Sequence, residues 1–150
     1  MVDRTLVFSG GALVRADGAP GDAVAIAASG DDPRGRYLLL RDLEVPVTGE
    51  GETRLVWLSH EQVSSDGGES ILLGFEDGVP HFAISSWSEG GTGAGVAGGT
   101  GTTYMDARTA APLLPEAEAA VVAQARSMAD WHRRTGFCGR CGGGTTSVDG

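Results

Sequence analysis

The chain of 150 residues is long enough for about one domain, and its hydrophobic residues, 41% of the total, suffice for a modest core. Its 11 basic and 20 acidic side chains give a formal net charge of −9, which repels phosphate backbones and anionic lipid. We therefore expect neither a nucleic-acid partner nor a membrane partner for this chain. No apolar run in the sequence approaches the length of a membrane-spanning helix.

The start of the sequence and its cysteine content both bear on the cellular compartment. Asp3 and Arg4 precede an apolar stretch that glycine soon interrupts, which is not the pattern of a secretory signal. The two cysteines, Cys138 and Cys141, are too few and too close together for the disulfide framework of a secreted mini-domain. We accordingly predict a cytoplasmic protein.

Five short apolar runs in the first two thirds of the chain have the length and composition of β-strands. They cover residues 23–27, 37–40, 55–58, 71–75 and 81–84. The last two flank an Asp77-Gly78 loop and predict a β-hairpin, and Ser59 is placed to cap one helical turn over residues 60–62. The segment 90–103 is so rich in glycine that we predict a mobile loop there.

A long helix is predicted from Leu113 to Thr135, where strong helix formers predominate. Pro115 suits its first turn, and Gly136 is placed to end it. The predicted apolar stripe of this helix consists of Ala117, Val121, Ala125, Met128 and His132. Several strands followed by one long helix indicate an α+β domain with a small mixed or antiparallel sheet.

The sharpest local motif is the stretch FCGRCG, in which Cys138 and Cys141 have the C-x-x-C spacing of a zinc knuckle. The glycine after each cysteine lets backbone amides turn toward the sulfurs while both sulfurs face one cation. A structural zinc needs four ligands, and none of the nine residues after Cys141 is a cysteine or a histidine. We therefore expect an incomplete zinc ribbon over residues 137–150. A redox pair and inert thiols remain as alternatives, although a redox pair is expected to open a helix after a strand.

The histidines and one glycine motif are weaker candidates for a site. His132 is a conceivable third zinc ligand, but its place on the apolar stripe favours a packing role. His60 and His81 lie far apart, and neither has an acidic residue three or four positions further on, so we assign them no metal or catalytic role. Residues 93–98 match G-x-G-x-x-G, but the glycines and threonines that follow do not form the helix that dinucleotide binding requires.

Other signatures of catalysis are missing from the sequence. It contains no serine nucleophile elbow, no Walker A lysine and no helix with paired carboxylates for magnesium. We therefore predict no catalytic and no cofactor-binding residue in this chain, and we predict Cys138 and Cys141 as its metal ligands.

The order of the motifs resembles a known family. The predicted helix ends in WHRR at 131–134, directly before the cysteine knuckle, and upstream LLGF at 72–75 is followed by PHFAI at 80–84. This combination resembles the N-terminal domain and the approach to the zinc ribbon of bacterial NADH pyrophosphatases in the Nudix superfamily. The resemblance extends over residues 70–142, and the preceding residues are compatible with it.

The resemblance implies an N-terminal Nudix-like domain over residues 1–112, a connecting helix over 113–136 and the first half of a four-cysteine zinc ribbon over 137–150. Cys138 and Cys141 would be the first zinc pair. The parent enzyme would hydrolyse the pyrophosphate of NAD or NADH to nicotinamide mononucleotide and AMP, using magnesium or manganese in a catalytic Nudix domain. The glutamate-rich box of that domain, R-E-x-x-E-E, has no counterpart here, so we expect this chain alone to be inactive.

Two hypotheses of function follow. In the first, the chain is the non-catalytic N-terminal portion of an NADH pyrophosphatase. Its partners would be its own downstream catalytic domain, NAD(H) in the full-length protein, and a second copy in a homodimer. In the second, the chain is a stand-alone interaction domain without enzymatic activity, in which zinc bridges two chains through the two cysteines of each.

Overall fold

The computed structural model describes residues 10–15, 30–49, 51–63, 70–86 and 101–145. The predicted strand at 23–27, the G-x-G-x-x-G match and most of the glycine-rich segment lie outside these described residues. None of the described helices is long and apolar enough to cross a membrane.

The described elements form an α+β fold, as the sequence predicts. The strands are β1 (Arg36–Arg41), β2 (Val45–Thr48), β3 (Leu58–Ser59), β4 (Ser70–Glu76), β5 (Val79–Ser86) and β6 (Thr102–Met105). The helices are α1 (Ala107–Ala110) and α2 (Glu116–Arg134), with 3-10 turns at His60–Gln62 and Ala111–Leu113.

The strands form one mixed sheet and one small antiparallel sheet. The four-stranded sheet has the order β3-β1-β5-β4, in which β1 and β5 are parallel and the other neighbours are antiparallel. Strands β2 and β6 pair with each other in a separate two-stranded sheet. Both of these strands were missed by the sequence analysis, and the predicted strand at 55–58 shortens to β3, with Leu55 making only an isolated bridge to Val47.

The predicted hairpin is confirmed, and two local features shape it. Asp77 and Gly78 both have positive φ, 50° and 73°, which is the two-residue turn that an Asp-Gly pair favours. A bulge near Leu72 and Gly74 shifts the register between β4 and β5. Gly74 has φ 147°, and a Cβ there would lie 2.7 Å from the Val14 carbonyl oxygen, so the close approach of the two backbones requires glycine.

The two faces of the four-stranded sheet carry different apolar clusters, because side chains alternate along each strand. On the face that packs against α2, the buried side chains are those of Leu38, Leu40, Leu73 and Ala83, and α2 adds Val122 and Ala125 to the same cluster. The opposite face carries Tyr37, Leu58, Phe82 and Ile84, with the rings of Tyr37 and Phe82 stacked 5.0 Å apart. Gln124 of α2 donates its amide N–H to the carbonyl oxygen of Leu73 at 2.6 Å, where the bulge interrupts the ladder.

The long helix is confirmed, with two differences from the sequence analysis. It begins at Glu116, so Pro115 precedes the first turn as the N-cap residue. The buried face consists of Ala119, Ala120, Val121, Val122, Ala125 and Ala129. The predicted stripe is therefore partly wrong, since Ala117, Met128 and His132 are only half buried. The physical reason is that small alanine side chains let one flank of the helix approach the sheet closely.

The short helix α1 was also missed. Asp106 begins it by accepting the backbone N–H of Arg108 at 2.9 Å, which is an ordinary N-cap contact. The division of the chain at residues 112 and 136 stays a prediction.

Candidate functional site

The cysteine pair lies in a tight turn immediately after α2. The backbone N–H of Cys138 donates to the Gly143 carbonyl at 2.7 Å, and the N–H of Gly142 donates to the Cys138 carbonyl at 2.8 Å. Gly142 has φ 70°, which favours glycine at this position. A backbone hydrogen bond from Thr145 to the Gly136 carbonyl, 3.0 Å long, closes the base of the turn. We call residues 136–145 the knuckle.

The backbone of the knuckle stabilises a thiolate. Hydrogen bonds from the backbone N–H of Arg140, then from that of Cys141, and then from the Cys141 thiol lower the pKa of the Cys138 thiol. Cys138 is half buried and Cys141 is exposed, and both are free thiols. Because the thiolate is the form that binds metal, this arrangement is suited to ligating a soft cation.

The structure places two thiols in one turn, and no third candidate ligand joins them among the residues that it describes. Within the described ranges there is no cluster of three or more histidine, cysteine, aspartate or glutamate side chains that could hold a metal. His132 is half buried and its ring meets the ring of Trp131 edge to face, with centroids 4.9 Å apart. The packing role expected for that histidine stays a prediction.

His60 and His81 take part in contacts that the sequence analysis did not foresee. His60 Nδ1 lies 3.0 Å from the hydroxyl of Tyr37, beside the cluster on the face opposite α2. His81 is buried on the face that α2 covers, where it lies near the carboxylate of Glu76. The sequence analysis considered only acidic residues three or four positions after His81, which is the spacing of a helix. Glu76 was therefore missed, because it is the hairpin that brings it close to His81.

The side chain of His81 lines an open cleft of about 570 Å³ at one end of the sheet. One wall comes from the strand ends, with Arg36, Trp57 and Glu76. The opposite wall comes from the first turn of α2, with Ala117 and Glu118. A cleft of this size falls in the range of small-molecule sites.

Two contacts hold the helical wall of the cleft in place. Glu118 accepts the Nε–H of Arg54 at 2.6 Å and the backbone N–H of the buried Leu55 at 2.7 Å. The hydrogen bond to Glu118 raises the pKa of Arg54 above its ordinary value. One carboxylate therefore connects the start of α2 to the segment that leads into β3.

The comparison with known families covers most of this architecture. The family model described as the NADH pyrophosphatase-like rudimentary NUDIX domain matches residues 2–131. The match includes both sheets and most of α2, and the knuckle lies beyond it. No curated protein sequence gives a significant match. Since the family model spans well over half of the chain, the protein belongs to the NUDIX-like family, the rudimentary Nudix domain of the NADH pyrophosphatase type.

Proposed function

We propose that this chain forms the non-catalytic N-terminal portion of an NADH pyrophosphatase, an enzyme that hydrolyses the pyrophosphate of NAD(H) to nicotinamide mononucleotide and AMP. The observation that carries the proposal is the family match over residues 2–131. The sequence holds no Nudix box, so the carboxylates for magnesium or manganese would come from a catalytic domain of the same protein.

The knuckle would supply two of the four sulfurs of a structural zinc site through Cys138 and Cys141. The donor set fits this role, because both side chains are thiols and backbone amides lower the pKa of Cys138. Zinc would crosslink the knuckle to a second pair of cysteines, and it would take no part in hydrolysis.

The exposed aromatic residues beside the knuckle support a scaffolding role. Trp131 is 55% exposed at the last turns of α2, and Phe137 is 70% exposed directly before Cys138. Exposed large apolar side chains can pack against another domain or a second copy of the chain. We propose that this surface supports the catalytic domain and the homodimer in the cytoplasm.

The test of this function compares two protein lengths. The purified 150-residue chain and a version extended through the following codons are each incubated with NADH and magnesium or manganese, and released AMP is measured. We expect hydrolysis only from the extended version. Turnover by the 150-residue chain above that of a no-enzyme control, or a reading frame that encodes no Nudix helix, would contradict the proposal.

Zinc binding tests the role of the knuckle separately. With two thiolates available, the 150-residue chain should bind zinc weakly, and the extended version should bind it tightly. Cys141→Ser should abolish binding in both, while Ser127→Ala on the exposed side of α2 should leave it unchanged. Native mass spectrometry that finds two 150-residue chains bridged by one zinc ion would favour the stand-alone interaction domain instead.

A further inference from the structure

The cleft described above brings together the polar side chains of Arg36, Glu76 and His81. Arg36 and His81 are direct partners in the parallel pairing of β1 and β5, so their backbones lie about 4.8 Å apart. Glu76, at the end of β4, reaches the same place across the hairpin. These three residues line one end of the sheet face that α2 covers elsewhere.

The ring of His81 presents a hydrogen-bond acceptor to the cleft. Its side chain is only 9% exposed, and Nδ1 lies 3.0 Å from the Val79 carbonyl oxygen. A carbonyl can only accept, so Nδ1 carries a proton, and whenever the ring is neutral Nε2 offers a lone pair. The nearest polar atom to Nε2 is Oε2 of Glu76 at 3.7 Å, which is also an acceptor and is too far for a hydrogen bond.

Nε2 of a neutral His81 ring and the Glu76 carboxylate are two acceptors 3.7 Å apart, and the Glu76 side chain is 52% exposed to solvent. Across the described part of the chain, no N–H or O–H reaches either Nε2 of His81 or the Glu76 carboxylate. An ammonium group carries several N–H donors and a positive charge, so it suits a neutral imidazole nitrogen and a carboxylate at once.

The remaining walls of the cleft provide a cation and an apolar surface. The guanidinium of Arg36 is exposed and has no ion-pair partner among the residues that the structure describes, whereas Arg54 is held by Glu118. The apolar wall is formed by Leu13, Leu55, Val121 and the indole of Trp57, whose ring packs edge to face with His81 at 4.9 Å.

We propose that this cleft binds a small zwitterion with an apolar body, the chemistry of a hydrophobic α-amino acid. The ammonium group binds between His81 Nε2 and Glu76, the carboxylate pairs with Arg36, and the side chain packs against Trp57. The pairing of Arg36 with His81 on neighbouring strands suits a ligand whose two charges are separated by one carbon atom. Phosphate would face the carboxylates of Glu76 and Glu118, so we do not expect phosphate to bind.

The test uses L-phenylalanine and two analogues that each lack one charged group. Isothermal titration calorimetry with the 150-residue chain should give a dissociation constant of about 1 mM or below for phenylalanine. Both 3-phenylpropanoate, without the ammonium, and 2-phenylethylamine, without the carboxylate, should bind roughly tenfold to a hundredfold more weakly, as expected for one lost charged hydrogen bond. NMR shifts should change at the indole N–H of Trp57 and at the backbone amides of β5.

Matched variants locate the site. Glu76→Gln should weaken phenylalanine binding by about tenfold or more, because the neutral amide lacks the negative charge that attracts the ammonium group. The exposed Glu44→Gln should have no effect. In the same way, Arg36→Met should weaken binding and Arg108→Met should not. Absence of binding up to roughly 10 mM, equal binding of 3-phenylpropanoate, or an unchanged affinity in Glu76→Gln would each overturn the proposal.

Discussion

The knuckle and the cleft are built in opposite ways. The knuckle is local, because ten consecutive residues supply the two thiols, the amides that face them and the hydrogen bonds that close the turn. The cleft takes its residues from strands β1, β4 and β5, from the segment before β3 and from the start of α2. A local site can be recognised from a short motif, whereas a site assembled from distant segments depends on strand order and register.

The same contrast predicts different consequences for stability. Changes in the cleft region should affect the cooperative unfolding of the whole domain, because its residues belong to strands and a helix that share one core. Changes in the knuckle should affect only the knuckle, since its residues are mostly exposed.

The largest effect is expected for Gly74→Ala. The new Cβ would lie 2.7 Å from the Val14 carbonyl oxygen at a backbone φ of 147°, so the bulge that pairs with His81 must shift. We expect a loss of about 2–4 kcal/mol in the free energy of unfolding, measured by urea titration. Gly78→Ala, which has positive φ but open space around it, should cost only about 1 kcal/mol. Equal losses would mean that the close approach to Val14 does not matter.

A smaller effect is expected for Glu118→Ala. This change leaves the backbone N–H of the buried Leu55 without its acceptor and releases Arg54, at a cost of about 1–3 kcal/mol. Glu116→Ala removes a similar charge from the first turn of α2 without these contacts, so it should cost less than about 1 kcal/mol. The difference between the two losses in free energy of unfolding measures how much the contacts of Glu118 with Arg54 and Leu55 stabilise the domain. Equal losses would show that these contacts do not stabilise it.

In the knuckle we expect a change in reactivity without a change in stability. Because backbone amides lower the pKa of Cys138, its thiolate forms at a lower pH than that of an unstructured cysteine. In Cys141→Ser, which keeps a hydroxyl donor, alkylation of Cys138 by iodoacetamide should therefore begin at a lower pH than in a cysteine peptide, as followed by mass spectrometry. Urea unfolds the knuckle, so in urea Cys138 and the cysteine peptide should be alkylated over the same pH range. If urea leaves the pH dependence of Cys138 alkylation unchanged, the backbone amides do not lower its pKa.

The smallest effect on stability is expected for Phe137→Ser. The side chain is 70% exposed, so its removal should change the free energy of unfolding of the 150-residue chain by less than about 0.5 kcal/mol. If this surface packs against another domain, the same change should destabilise an extended protein clearly more. A large loss in the 150-residue chain would show instead that the knuckle belongs to the cooperative core.

Several elements were predictable because their signals are local. The Asp77-Gly78 pair needs only positive φ at two residues to make its turn. Helix α2 follows from helix-forming residues between Pro115 and Gly136. The cysteine spacing likewise places two sulfurs in one turn without help from the rest of the chain.

Other features depend on which segments meet. Strands β2 and β6 are only four residues long and are separated by more than fifty residues, so neither has a strong pattern of its own. Which residues of α2 are buried depends on how the helix packs on the sheet, and the buried face includes Ala119 and Ala129. His81 looked isolated because Arg36 becomes its neighbour only through the parallel pairing of β1 and β5.

The sequence alone determined the α+β class, the hairpin, the long helix and the cysteine turn. Backbone preferences and short-range hydrogen bonds decide each of these features. The tertiary structure alone decided the strand order, the buried face of the helix and the cleft around His81. The physical reason is that burial and side-chain hydrogen bonding depend on contacts between distant segments, and a linear pattern of residues does not specify which of those contacts form.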